Sequence, residues 1–77
     1  MKDLLEYIAK SLVDSPDSVT VEETESGDGT VVLTLHVASS DMGRVIGKQG
    51  KIAKAIRTVV KSGASYQNKR VAVEISE

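Results

Sequence analysis

Apolar residues fall at Leu4, Leu5, Ile8, Leu12 and Val13, steps of three and four that gather on one face of an α-helix. The spacing predicts an amphipathic first helix that stops near Asp14, where Ser15-Pro16-Asp17 breaks the pattern. The period then changes to two. Val19-Thr20-Val21-Glu22 alternates as a strand does, and Ser26-Gly27-Asp28-Gly29 supplies turn residues that tolerate positive φ. Beyond the turn, Val31, Leu33, Leu35 and Val37 point one way and Val32, Thr34 and His36 the other, the cleanest strand pattern in the chain. The two strands form a hairpin.

The second half returns to a helical period, interrupted by glycine. Ser39-Ser40-Asp41 offers N-cap side chains for a helix of little more than a turn from Met42. After Gly50 a longer helix is expected from Lys51 to about Ser62, with Gly63 ending it in a left-handed C-cap. Val71, Val73 and Ile75 alternate as a last strand. The order α-β-β-α-loop-α-β is an α+β pattern, and a helical crossover between the last two strands permits parallel pairing. A three-stranded mixed sheet follows, with all three helices on one face and Val32 and His36 on the open one.

The candidate chemistry lies in Arg44-Val45-Ile46-Gly47-Lys48-Gln49-Gly50-Lys51. Two glycines at this spacing serve as a plain corner between helices. They also let a backbone or phosphate approach with no Cβ in the way. The next helix begins at once, so its free N–H groups and dipole face the loop and favour an anion. Arg44, Lys48, Lys51 and Lys54 cluster around that point. A mononucleotide P-loop is excluded, since it needs four residues between its glycines and then Lys-Ser or Lys-Thr, whereas Gly43 to Gly47 encloses three and Gln49 follows Lys48. A dinucleotide fingerprint is excluded because the loop follows a helix, not a strand.

Charge sharpens this picture. The net charge of the 77 residues is −1, but its distribution is polar: residues 1–41 carry nine acids against Lys2 and Lys10, and residues 42–77 carry eight bases against Glu74 and Glu77. A one-signed half-chain is an electrostatic footprint for a polyanion. On the helix from Lys51, the apolar residues Ile52, Ala55, Ile56, Val59, Val60 and Gly63, with Ala53 at the edge, cover an arc of about 160°. Lys54, Arg57 and Lys61 lie opposite. Part of the arc covers the sheet, and the remainder is available to a partner helix.

Val45-Ile46-Gly47-Lys48-Gln49-Gly50, continued by Lys51-Ile52-Ala53-Lys54-Ala55-Ile56 and Arg57-Thr58-Val59-Val60, resembles the V-I-G-x-x-G core of a KH domain. The element order is similar to the type II arrangement, and the whole chain resembles the small stand-alone bacterial KH proteins of the KhpA-like RNA-binding family. The resemblance implies single-stranded RNA held over about four nucleotides. On these positions it implies that Gly47, Lys48, Gln49 and Gly50 hold the sugar–phosphate backbone, with Arg44, Lys51 and Lys54 adding charge. Val45, Ile46 and Ile52 would line one side of the groove, and Arg70, Val71, Ala72 and Val73 the other. It also implies a homodimer, or a heteromer with a larger KH-containing protein, through Ile56, Val59 or Val60.

Composition excludes other classes. There is no Phe or Trp, and the tyrosines are Tyr7 and Tyr66, so the aromatic platforms of RNA-recognition motifs and OB-folds are missing. Tyr66 reads as a packed or half-exposed loop residue more readily than as a groove rim. No cysteine is present, which removes disulfides and thiolate metal sites. His36 is the one histidine and falls on a sheet face, and no nucleophile–base pair or metal spacing is visible. No enzyme and no cofactor are expected. No apolar run approaches a membrane span and the first residues are charged, so a cytoplasmic domain is expected. A protein-interaction scaffold and a single-stranded DNA binder are the competing functions.

Overall fold

The computed structural model describes residues 2–77. Helix α1 (Lys2–Leu12) leads through a 3₁₀ turn (Pro16–Ser18) into β1 (Thr20–Glu25) and β2 (Val31–His36). A second 3₁₀ turn (Ser39–Asp41) opens α2 (Met42–Ile46), the loop turn Lys48–Gly50 follows, and α3 (Lys51–Tyr66) leads to β3 (Val71–Ser76). The sheet order is β1-β2-β3, antiparallel between β1 and β2 and parallel between β2 and β3. This is the expected α+β mixed sheet.

The alternating residues of β2 explain why it is the central strand. Leu33, Leu35 and Val37 are buried beneath the helices with Val21, Val71 and Val73, while Val32, Thr34 and His36 take the uncovered face. On that face His36 Nε2 lies 3.4 Å from Glu22 Oε1. Helix α1 packs over β1 and α3 over β3, and Leu5, Ala9, Val45, Ile56, Val60 and Ala64 close the core from above.

Two local expectations are corrected. Gly63 does not end α3, because Ala64 continues the buried row of Ala53, Ile56 and Val60 and holds one more turn onto the sheet. The stop falls at Asn68, left-handed at φ 56°. There the Lys69 N–H bonds the Ala64 carbonyl at 3.0 Å and the Asn68 N–H bonds that of Ser65 at 3.1 Å, the paired closure of a Schellman motif. Tyr66 consequently ends a helix and is 93% exposed, not a packed loop residue.

Asp41 does not cap α2. It is 1% exposed, and its carboxylate accepts the N–H groups of Asp14 and Ser15, each at 3.1 Å. A buried carboxylate needs such partners. The contact pins the end of α1 to the start of α2, and so fixes the base of the loop.

Candidate nucleic-acid interface

The Gly47 N–H closes α2 on the Gly43 carbonyl at 2.9 Å. Gly47 itself adopts φ 75°, ψ 176°, a region reserved for glycine. A Cβ there would lie 2.2 Å from Ile52 Cγ1 and 3.0 Å from the Ile52 nitrogen. The chain therefore presses against the first turn of α3. Gln49 (φ 58°, ψ 24°) and Gly50 (φ 74°, ψ 14°) are both left-handed, and a Cβ on Gly50 would meet nothing within 4 Å. The two glycines thus do different work: Gly47 permits close packing, and Gly50 permits a turn beneath open space.

That turn delivers α3 with Gly50 as its N-cap and no side chain capping it. Its first amide, Lys51 N–H, is used by the Lys48 carbonyl, and the amides behind it add the positive pole of a 16-residue helix. Lys48, Gln49 and Lys51 are exposed around this pole, with Lys54 one turn on. Amides, dipole and ammonium groups converge where an anion can enter.

The cations of this half divide by type. Each arginine has a partner in the protein. Arg44 Nη2 lies 2.9 Å from Asp14 Oδ2 and its Nε 3.6 Å from Asp41 Oδ1. Arg57 Nε donates to the Val73 carbonyl at 3.1 Å, and Arg70 Nη2 to the Asp28 carbonyl at 2.8 Å. Among the described residues, Lys48, Lys51, Lys54, Lys61 and Lys69 form no ion pair. Arg44 and Arg70 are therefore each anchored on one side by an acceptor of the protein, with the remaining N–H groups of each guanidinium left over. Arg70 is also remote from the loop, since 16 residues of α3 at 1.5 Å each put about 24 Å between the helix ends.

Val45 is fully buried in the core and not in a groove wall, whereas Ile46 is exposed. Ile52 leans against Gly47 and towards α1, away from β3. On the opposite flank of α3, Lys54, Arg57 and Lys61 face the free edge of β3. The Val31 N–H bonds the Arg70 carbonyl and the Val37 N–H bonds that of Ser76. Alternation then gives the main-chain groups of Ala72 and Glu74 to β2 and turns those of Val71, Val73 and Ile75 to the open edge. Ala72 is thus withdrawn from the cleft. Ile75 and Arg57 join it, and the same period-two pattern that predicted β3 was the signal for Ile75.

The apolar arc of α3 is also divided. Val60 is fully buried in the core, whereas Ile56, 3% exposed, packs into the core and also lines the groove between α1 and α3. Val59 is 48% exposed and lines this apolar groove of about 550 Å³ with Ile52, Ala55 and the α1 residues Leu4, Tyr7 and Ile8. Tyr7 is 72% exposed.

Residues 2–75 match the family model described as "KhpA/KhpB, KH domain". The chain belongs to this KH-domain family. It is 64% identical over 75 residues to the RNA-binding protein KhpA of Clostridium acetobutylicum, covering 97% of this chain and 99% of that one. Identity to the RNA-binding protein KhpA of Chlamydia pneumoniae is 48% over 77 residues, covering 100% and 97%. That of Aquifex aeolicus is also 48% identical over 77 residues, covering 100% and 96%. Among solved structures, Era in complex with MgGDPNP and nucleotides 1506–1542 of 16S ribosomal RNA shares the fold, with TM-score 0.64 and 19% identity over 97% of this chain. The chain spans 28% of the length of Era. No described helix is long and apolar enough to cross a membrane.

Proposed function

We propose that this chain binds single-stranded RNA, with the sugar–phosphate backbone at Gly47–Gly50 and the bases along the edge of β3. The observation that carries this is the uncapped start of α3 beneath an open Gly50, ringed by lysines without ion-pair partners. Lys48 and Gln49 meet phosphate oxygens and Lys51 and Lys54 add charge beside them. Val71, Val73 and Ile75 offer main-chain groups to base edges, and aliphatic side chains replace the aromatic platforms that the composition lacks. The RNA-binding names of the relatives support the same reading.

The grip is short, about four nucleotides, and reads few base edges. It suits an RNA chaperone or post-transcriptional regulator that holds many sequences briefly. Three lysines at phosphates give a slope of log K against log salt of about −2 for a single strand. Titrating a labelled RNA and a DNA of the same sequence at two salt concentrations tests this. RNA binding with that slope, tighter than DNA binding, is the expected result. Salt-insensitive or absent binding favours a scaffold, and equal binding removes a role for the 2′-hydroxyl.

A second reading rests on the groove between α1 and α3, whose exposed Tyr7 and Val59 fit a helix of a second copy or of a larger KH-containing protein. This face lies on the flank of α3 opposite the β3 cleft, so association and RNA binding are compatible.

A further inference from the structure

Lys61, Ser65, Lys69, Arg70 and Val71 enclose a polar hollow of about 290 Å³ where α3 ends and β3 begins. We propose that it is a second phosphate-binding site, which extends the single-strand track beyond the loop. This rests on the RNA reading above and adds a length to it.

Three observations converge. First, the hollow has cationic walls and no carboxylate in its lining. Lys61 and Lys69 form no ion pair among the described residues. Glu23 borders a neighbouring hollow with Lys69 and makes no ion pair with it. Second, the Arg70 guanidinium is anchored at the rim by the Asp28 carbonyl, and its remaining N–H groups are available to a ligand. Third, the hollow is in line with the loop. Lys54, Arg57, Lys61 and Ser65 recur at helical spacing on one flank of α3, and the Arg57–Val73 bond shows that this flank borders the open edge of β3.

From Lys51 to Ser65 the helix advances about 21 Å at 1.5 Å per residue. A stacked strand rising about 3.4 Å per nucleotide covers that distance in about six nucleotides. The hollow therefore meets a phosphate past a four-nucleotide grip. The chemistry it fits is a backbone phosphodiester: ammonium groups and a guanidinium without a fixed base-edge pattern contribute affinity and register, not sequence preference.

The test is the affinity of mixed-sequence single-stranded RNAs of four and of ten nucleotides for the wild-type chain and for a Lys61→Ala/Lys69→Ala variant. Both lysines are exposed, and circular dichroism checks that the fold is kept. Wild type is expected to bind the ten-mer more tightly than the four-mer and with a steeper salt slope. The variant is expected to keep wild-type affinity for the four-mer and to lose the gain on lengthening, with the ten-mer slope reduced by about 1.4 for two lost phosphate contacts. A variant that retains the ten-mer affinity and slope overturns the second site while leaving the loop reading intact. Equal loss on both RNAs places the lysines inside the short grip and overturns the extension. If wild type binds neither RNA, the RNA reading itself fails.

Discussion

Gly47→Ala tests the claim that the two loop glycines differ. At Gly47 the new Cβ lies 2.2 Å from Ile52 Cγ1, 2.8 Å from Ile52 Cβ and 3.0 Å from the Ile52 nitrogen. The side chain of Ile52 can swing, but its helical backbone cannot retreat without moving α3. The φ of 75° and ψ of 176° add a conformational penalty, so strain and overpacking together are expected to cost about 2–6 kcal/mol. A domain of this size has about 4–12 kcal/mol in total. At Gly50 the Cβ has free space, leaving only the left-handed penalty of about 1–2 kcal/mol. Urea unfolding at constant m reads the difference. Ile52 is 36% exposed, so Ile52→Ala is tolerated and removes the shortest contact. In that background the cost of Gly47→Ala should fall by at least about 1 kcal/mol. If the two glycine variants lose equal stability, or Ile52→Ala gives no relief, the packing argument is wrong.

Asp41→Ala should cost about 3 kcal/mol, because two hydrogen bonds to a charged acceptor are lost. Asp14→Ala loses only the exposed ion pair to Arg44 and should cost below about 1 kcal/mol; unfolding curves compare them. Val59→Glu should shift the sedimenting species to monomer without lowering the melting temperature, whereas Val60→Glu, buried in the core, should unfold the chain. The Asp28 carboxyl accepts from the Ser26 hydroxyl and the Thr30 N–H, which lowers its pKa from 3.8 to about 2. Its folded pKa lies below the unfolded one, so its stabilisation is present above the ordinary pKa and is lost as pH falls towards 2. An NMR titration should show that low midpoint, and Ser26→Ala should move it up.

The strand pattern was legible because burial in a sheet follows a period of two with no long-range information. Leu33 and Leu35 in, Thr34 and His36 out, needed only the chain itself. The loop was legible for a similar reason, since its glycines and the helix behind them are contiguous. What escaped were partners distant in sequence. An aspartate before a helix looks like a cap, and nothing local reveals that the amides of Asp14 and Ser15 turn back to Asp41. Arg44 and Arg70 counted as charge, but charge counts do not show which cations already have an acceptor. Val59 and Val60 are neighbours in one apolar run. Which of them faces the sheet is decided by where α1 packs, and the groove beside Val59 joins helices separated by the whole hairpin. Gly63 read as a stop because the pull of Ala64 into the core is a tertiary effect that overrides local propensity.

The central claim is that Gly47–Gly50 and the start of α3 hold a nucleic-acid backbone. Its most direct test is the Lys48→Asp/Gln49→Asp double variant, titrated with single-stranded RNA alongside wild type, with circular dichroism on both. The substitution moves the local charge by three units at the exposed turn. Aspartate tolerates the left-handed φ of 58° at position 49, and exposed changes stay within about 0.5 kcal/mol. The account predicts an unchanged spectrum and an RNA affinity reduced at least tenfold, about 1.4 kcal/mol. A folded double variant that binds RNA as tightly as wild type would contradict it, and would leave the loop as a corner between two helices.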